Sequence, residues 1–146
     1  MRLSSIEPEF VEFTPPELAE GKLYVSMIHA TTVHLCACGC GNKVVLPLSP
    51  AEWQMCFDGE AVSIAPSVGN WEFPCRSHYW IRDNAIRWAP AWTEKQIAAG
   101  RLRDSADLES YFAGRHEANE IAEQPSDSQA PGHARLLNRI RRLFRR

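Results

Sequence analysis

The chain has 146 residues, 45% of them hydrophobic and 23% charged, which is one domain's worth of ordinary globular composition. No apolar run approaches the ~20 residues that span a bilayer, and the opening MRLSSIEPEF lacks the apolar stretch of a signal peptide. The chain therefore reads as cytoplasmic. Thiols stay reduced in that compartment, so five cysteines point to metal binding or catalysis and away from disulfides.

Taken in order, residues 1–21 carry Pro8, Pro15, Pro16 and Gly21 among acids and read as an irregular lead-in. Residues 22–29 alternate as a strand, with Leu23, Val25 and Met27 on one face. A cysteine run follows, then a β-branched stretch at 43–46 that Pro47 and Pro50 stop. A hairpin is predicted where Trp53, Met55 and Phe57 alternate, Asp58-Gly59 turns, and Val62 and Ile64 return. A second runs through 78–81, turns at 82–84 and returns through 85–88. Cys56 falls within the first hairpin's strand pattern and is expected in the core.

After Pro90 the pattern changes. Thr93 is a candidate N-cap for a short helix at 94–99 ended by Gly100, and a second short helix is expected at 108–112 before Gly114. Residues 116–133 are polar, acidic and rich in Pro and Ser, as in a linker. In 134–146 Leu136, Leu137, Ile140, Leu143 and Phe144 recur at helical spacing among six arginines and no acid. The rest of the chain holds ten basic and eighteen acidic residues, so a net charge of −2 conceals an acidic body with a cationic tail. The predicted class is α+β: a mostly antiparallel β core at 22–92 built around a metal, a helical extension at 93–115, the linker, and a basic amphipathic helix.

The metal expectation rests on clustering. Cys36-Ala37-Cys38-Gly39-Cys40 puts three thiols within five residues, and Cys75 with His78 supplies a second segment, with 34 residues between the two. Two short ligand groups from separate segments are how tetrahedral zinc is held. Alternate residues of an extended segment point the same way, and Gly39 and Gly41 allow tight folding. The leading ligand set is Cys36, Cys38, Cys40 and Cys75; Cys38, Cys40, Cys75 and His78 compete with it. A closed shell with no carboxylate in the motif makes Zn2+ structural.

The stretch HLCACGCGNKVVLPLSPAEWQMCFDGEAVSIAPSVGNWEFPCRSHYWIRDNAIRWA carries CGCG, PSxGNW and CxSHYWI elements. On these elements residues 22–92 resemble a family of small bacterial proteins encoded beside ubiquitin-like conjugation genes. The resemblance implies partners: a bacterial ubiquitin-like protein, an E1-like adenylating enzyme and an E2-like carrier. It also implies an activity, a serine-dependent peptidase that processes or removes the modifier.

The residues can be asked to support that activity. A serine peptidase needs a hydroxyl, a histidine base and a group orienting the base. Ser67, in a glycine-containing turn, and Ser77 are the candidate nucleophiles; His78 is the candidate base, with His34 an alternative as base, ligand or donor to a thiolate. Ser77 adjoins His78, and consecutive strand residues face opposite sides, which favours Ser67 as the partner. Asp58 and Asp83 are guesses for the third member, and His116 and His133 are incidental. Neither HxH nor HExxH occurs, which argues against a metalloprotease. Two other readings stay open. One is a non-catalytic adaptor binding through Trp71, Tyr79 or Trp80. The other is a binder of nucleic acid, an anionic membrane or a protein groove through the arginine-rich tail.

Overall fold

Eight short strands and one helix follow one another: β1 (Glu7–Phe10), β2 (Lys22–Ser26), β3 (Thr31–Leu35), β4 (Lys43–Pro47), β5 (Gln54–Phe57), β6 (Val62–Gly69), β7 (His78–Arg82), β8 (Ala85–Trp88) and α1 (Glu94–Glu123). The computed structural model describes residues 1–123. Strands β1 to β4 form one sheet and β5 to β8 a second, each in chain order. All pairings are antiparallel except that of β1 with β2. Met1–Gly114 form one compact unit. No helix among the described residues is long and apolar enough to cross a membrane.

The sheets share one core. Leu23, Val25, Val44 and Leu46 from the first sheet belong to the same buried cluster as Ile64, Val68, Tyr79 and Ile81 from the second. Alternation along the strands produces this. In β4, Val44 and Leu46 are buried while Lys43, Val45 and Pro47 are exposed. Both predicted hairpins form. At 83–84, Asp83 (φ 48°) and Asn84 (φ 63°) take the paired left-handed conformation that a two-residue hairpin turn demands. Asn84 Oδ1 also accepts the Val62 amide at 2.8 Å, which fastens the turn to β6.

Three stretches differ from their sequence pattern. The lead-in is ordered: β1 pairs with β2, and the Leu3 and Ile6 amides donate to the Ala37 and Asn84 carbonyls, both at 2.8 Å. Its order comes from main-chain bonds to both sheets, which proline and acid content do not register. Strand β3 was not anticipated, because Thr31, Thr32 and His34 dilute its apolar signal although Thr32 and His34 are fully buried. The two short helices are one helix, capped by Thr93 and Gln96: the Gln96 amide donates to Thr93 Oγ1, and the Thr93 amide donates back to Gln96 Oε1. Gly100 does not end it. Trp92 packs 3.1 Å from where a Cβ on Gly100 would stand, so the glycine makes room for the indole. The helix runs on into the expected linker; the rest of that linker and the expected basic helix at 134–146 lie outside the described residues. Cys56 is exposed. Strand β5 is an edge with one buried-side residue, Met55, and Cys56 falls on the other face.

Candidate active site and metal centre

Two clusters grow from the same pair of adjacent strands, one on each face. Along β6 and into the next loop the residues are Pro66-Ser67-Val68-Gly69-Asn70-Trp71; before and along β7 they are Cys75-Arg76-Ser77-His78-Tyr79-Trp80. Gly69 lies directly opposite His78 and Val68 opposite Tyr79. Because alternate residues face opposite sides, Ser67, Gly69 and His78 share one face, whereas Val68, Ser77 and Tyr79 share the other with the cysteines.

On the inner face, Cys36, Cys38, Cys40 and Cys75 place all four Sγ atoms within 4.8 Å of one another. Cys36 lies 3.4 Å from Cys38 and 3.9 Å from Cys75, and Cys40 lies 3.7 Å from Cys75. Thiolates held tetrahedrally at a zinc–sulfur distance of ~2.3 Å stand about 3.8 Å apart, so the spacing matches such a shell. The chemistry agrees. Burial pushes the Cys36 and Cys38 thiols up, and like charges this close cannot all form unless a cation lies between them. These four residues could therefore hold a metal ion. Around them Ser77 Oγ lies 3.0 Å from Cys36 Sγ, and Asn70 Nδ2 donates to Ser77 Oγ at 2.9 Å. The donor set is all sulfur; His78 is elsewhere.

On the outer face, His78 Nε2 lies 2.9 Å from Ser67 Oγ. Gly69 explains how they meet. It stands directly opposite His78 and has no side chain, and a Cβ there would fall 2.5 Å from the Trp71 indole nitrogen. The indole fills the space beside the imidazole, and the ring reaches diagonally to Ser67. Three tryptophans box it in: the His78 ring centroid lies 4.9 Å from Trp71, 4.9 Å from Trp92 and 5.6 Å from Trp80. Trp71 and Trp92 stack on each other at 5.2 Å and 17°. Ser67 and His78 open onto a cavity of about 720 Å³, closed on its far side by Pro50–Trp53 and by α1 from Gly100 to Tyr111. Ion pairs between Arg76 and Glu94 and between Arg101 and Glu72 fasten α1 beside the Trp71 loop.

His78 Nδ1 is buried and makes no close hydrogen bond. Burial lowers the His78 pKa below its ordinary 6.5, opposed by the Pro90 carbonyl, which favours a proton on the ring. The imidazole is thus neutral at neutral pH and able to take a proton at Nε2. Any activity that needs this base should fall only as pH drops through a value below 6.5. A kcat/KM profile checks it; an acid limb above 6.5 would contradict the geometry.

The remaining candidates have other partners. Ser77 faces the cysteines. His34 is fully buried, its Nε2 2.8 Å from the Tyr79 hydroxyl, with its pKa lowered to about 4 by burial. It touches neither cavity nor sulfur. Asp58 accepts the Glu60 and Ala61 amides in the first hairpin turn, and Asp83 accepts from Ser63 Oγ, so neither guessed third member reaches His78. Tyr79 is wholly buried and offers no binding surface; Trp71 and Trp80 are half-buried beside the imidazole. Sequence reasoning missed Trp92 and Asn70. The signal for Trp92 was aromatic density on both sides of the histidine; Asn70 belongs to the PSxGNW element, but its spacing from the cysteines gave no sign that it lies beside the metal cluster.

Residues 10–89 match the family described as bacterial ubiquitination-like system serine protease (BubE). The chain belongs to this family. No curated protein and no solved structure matches the chain. The match ends before Trp92 and α1, so the part of the cavity wall that these supply is built by sequence beyond the family region.

Proposed function

We propose that this BubE-family chain is a serine peptidase that processes or deconjugates a bacterial ubiquitin-like protein, with Ser67 as nucleophile and His78 as base. The observation that carries the reading is the 2.9 Å approach of His78 Nε2 to Ser67 Oγ at the wall of an open cavity. Ser67 Oγ attacks the scissile carbonyl carbon as its proton passes to His78 Nε2. The tetrahedral adduct then expels the amine, which takes that proton, and leaves an acyl ester on Ser67. Water, deprotonated by the same nitrogen, hydrolyses the ester and restores the hydroxyl. No carboxylate among the described residues orients the imidazole. The tryptophan box does so, and the base is a dyad member.

The ion at Cys36, Cys38, Cys40 and Cys75 is read as zinc in a structural role. When bound, it supplies a cross-link between the segment after β3 and the loop before β7. Ser77 hydrogen-bonds to that cluster and is assigned to it rather than to catalysis. The E1-like and E2-like enzymes of the system are read as neighbours in the pathway, and the cytoplasm as its compartment.

The test incubates purified protein with a C-terminally extended ubiquitin-like protein from the same system. Cleavage at the junction is expected. Stable binding without cleavage would favour the adaptor instead, and neither would reject both.

A further inference from the structure

Ser67 lies where β6 outruns its neighbour. Strand β5 pairs with β6 only from Gln54 opposite Ala65 to Phe57 opposite Val62. Beyond that point Val68 and Gly69 pair on the β7 side alone among the described residues, and Ser67 pairs with neither neighbour. The chain before β5 turns out of the lane, held by the Ser49 amide donating to the Trp53 carbonyl at 3.0 Å. The cavity borders this stretch, lined by Ser67 and Gly69 and, across from them, by Pro50–Trp53 ahead of β5.

The main-chain groups at this edge have a definite direction. The Asn70 amide donates to the Ser77 carbonyl at 2.9 Å, which makes Asn70 and Ser77 a hydrogen-bonded pair. Such pairs alternate along an antiparallel ladder, so Gly69 and His78 form a non-bonded pair. The N–H and C=O of Gly69 therefore point away from β7, and Ser67 precedes it at the end of the irregular stretch between Ile64 and Val68. A strand edge with open main-chain groups is a template for another chain. This one ends at a hydroxyl paired with an imidazole.

We propose that the substrate enters as an extended strand that adds to β6 alongside Ser67–Gly69, in the lane β5 leaves free. Recognition is carried mainly by its main chain. The inference rests on the peptidase reading of the same site and goes beyond it by naming what is recognised: a locally unfolded tail or extension, not a folded surface. Neighbouring strands lie about 4.8 Å apart, so an added strand passes within reach of a side chain on β6. Strand addition of this kind draws affinity from alternate main-chain bonds and tolerates side-chain change between them.

The test uses Ser67→Ala protein and a synthetic ten-residue peptide spanning the junction of the extended ubiquitin-like protein. A series carries one N-methylated amide at each position, and a second series one alanine at each position. Affinity is read from intrinsic tryptophan fluorescence, to which Trp53, Trp71 and Trp92 in the cavity wall contribute. N-methylation is expected to weaken binding about tenfold at every second residue and little in between, the loss of one good hydrogen bond each time. Alanine substitutions should show no such period. Losses without period two, or no binding of the unmodified peptide, would overturn the proposal. Cleavage of the unmodified peptide by wild-type protein is measured alongside. Cleavage without the period-two pattern overturns strand addition and leaves the peptidase standing; the pattern without cleavage supports strand addition and removes the peptidase.

Discussion

Replacing Ser67 with alanine is expected to reduce cleavage of the extended ubiquitin-like protein by on the order of 10³-fold or more, because it removes the hydroxyl held 2.9 Å from His78 Nε2. The fold should survive. The Ser67 hydroxyl is half-buried and its bond is to His78 Nε2, so its loss costs about 1 kcal/mol or less. Ser77→Ala should do the opposite. Its Oγ lies 3.0 Å from Cys36 Sγ and accepts from Asn70, so the variant should keep turnover when metal is plentiful and bind metal about 10–100-fold more weakly. His78→Ala should match Ser67→Ala in turnover with metal content unchanged. Turnover lost in Ser77→Ala at full metal occupancy, and kept in Ser67→Ala, would invert the assignment.

Removing the metal should unfold the domain. Structural zinc sites contribute about 10–16 kcal/mol of apparent binding free energy, as much as the roughly 5–15 kcal/mol by which a domain is stable. Here the cluster joins Cys36, just after β3 of the first sheet, to Cys75, just before β7 of the second. Chelation should therefore collapse both sheets in one transition, and activity should disappear with the fold. Zinc should restore both. Thermal denaturation with and without chelator checks this, and so does metal analysis of Cys75→Ser, which should be both metal-poor and unstable. Activity abolished by gentle chelation with the fold intact would contradict a structural ion and require the metal at the reacting atoms.

The two hairpins and the four-cysteine cluster were legible because each is written locally. Alternation, a two-residue turn and three thiols in five residues need no knowledge of the rest of the chain. Ser67 with His78 was half legible. Strand parity argued against the adjacent Ser77, yet the pairing register that brings Ser67 across to His78 is fixed by the irregularity between Ile64 and Val68, which sequence periodicity does not carry. Strand β1 was hidden for a different reason: its order comes from bonds to distant main chain, not from its own side chains. The continuity of α1 through Gly100 was hidden because the glycine serves Trp92, eight positions earlier, not the helix end. The usual triad supplies an acidic third member, whereas the imidazole here is packed among indole rings.

The most direct measurement is covalent labelling with a fluorophosphonate, which reacts with a serine only where a neighbouring base makes it nucleophilic. Intact, metal-loaded protein is treated, digested and mapped by mass spectrometry. The predicted result is a single adduct on Ser67, absent in His78→Ala and undiminished in Ser77→Ala when metal is in excess. An adduct on Ser77, or no adduct on a protein that cleaves its substrate, would contradict the account.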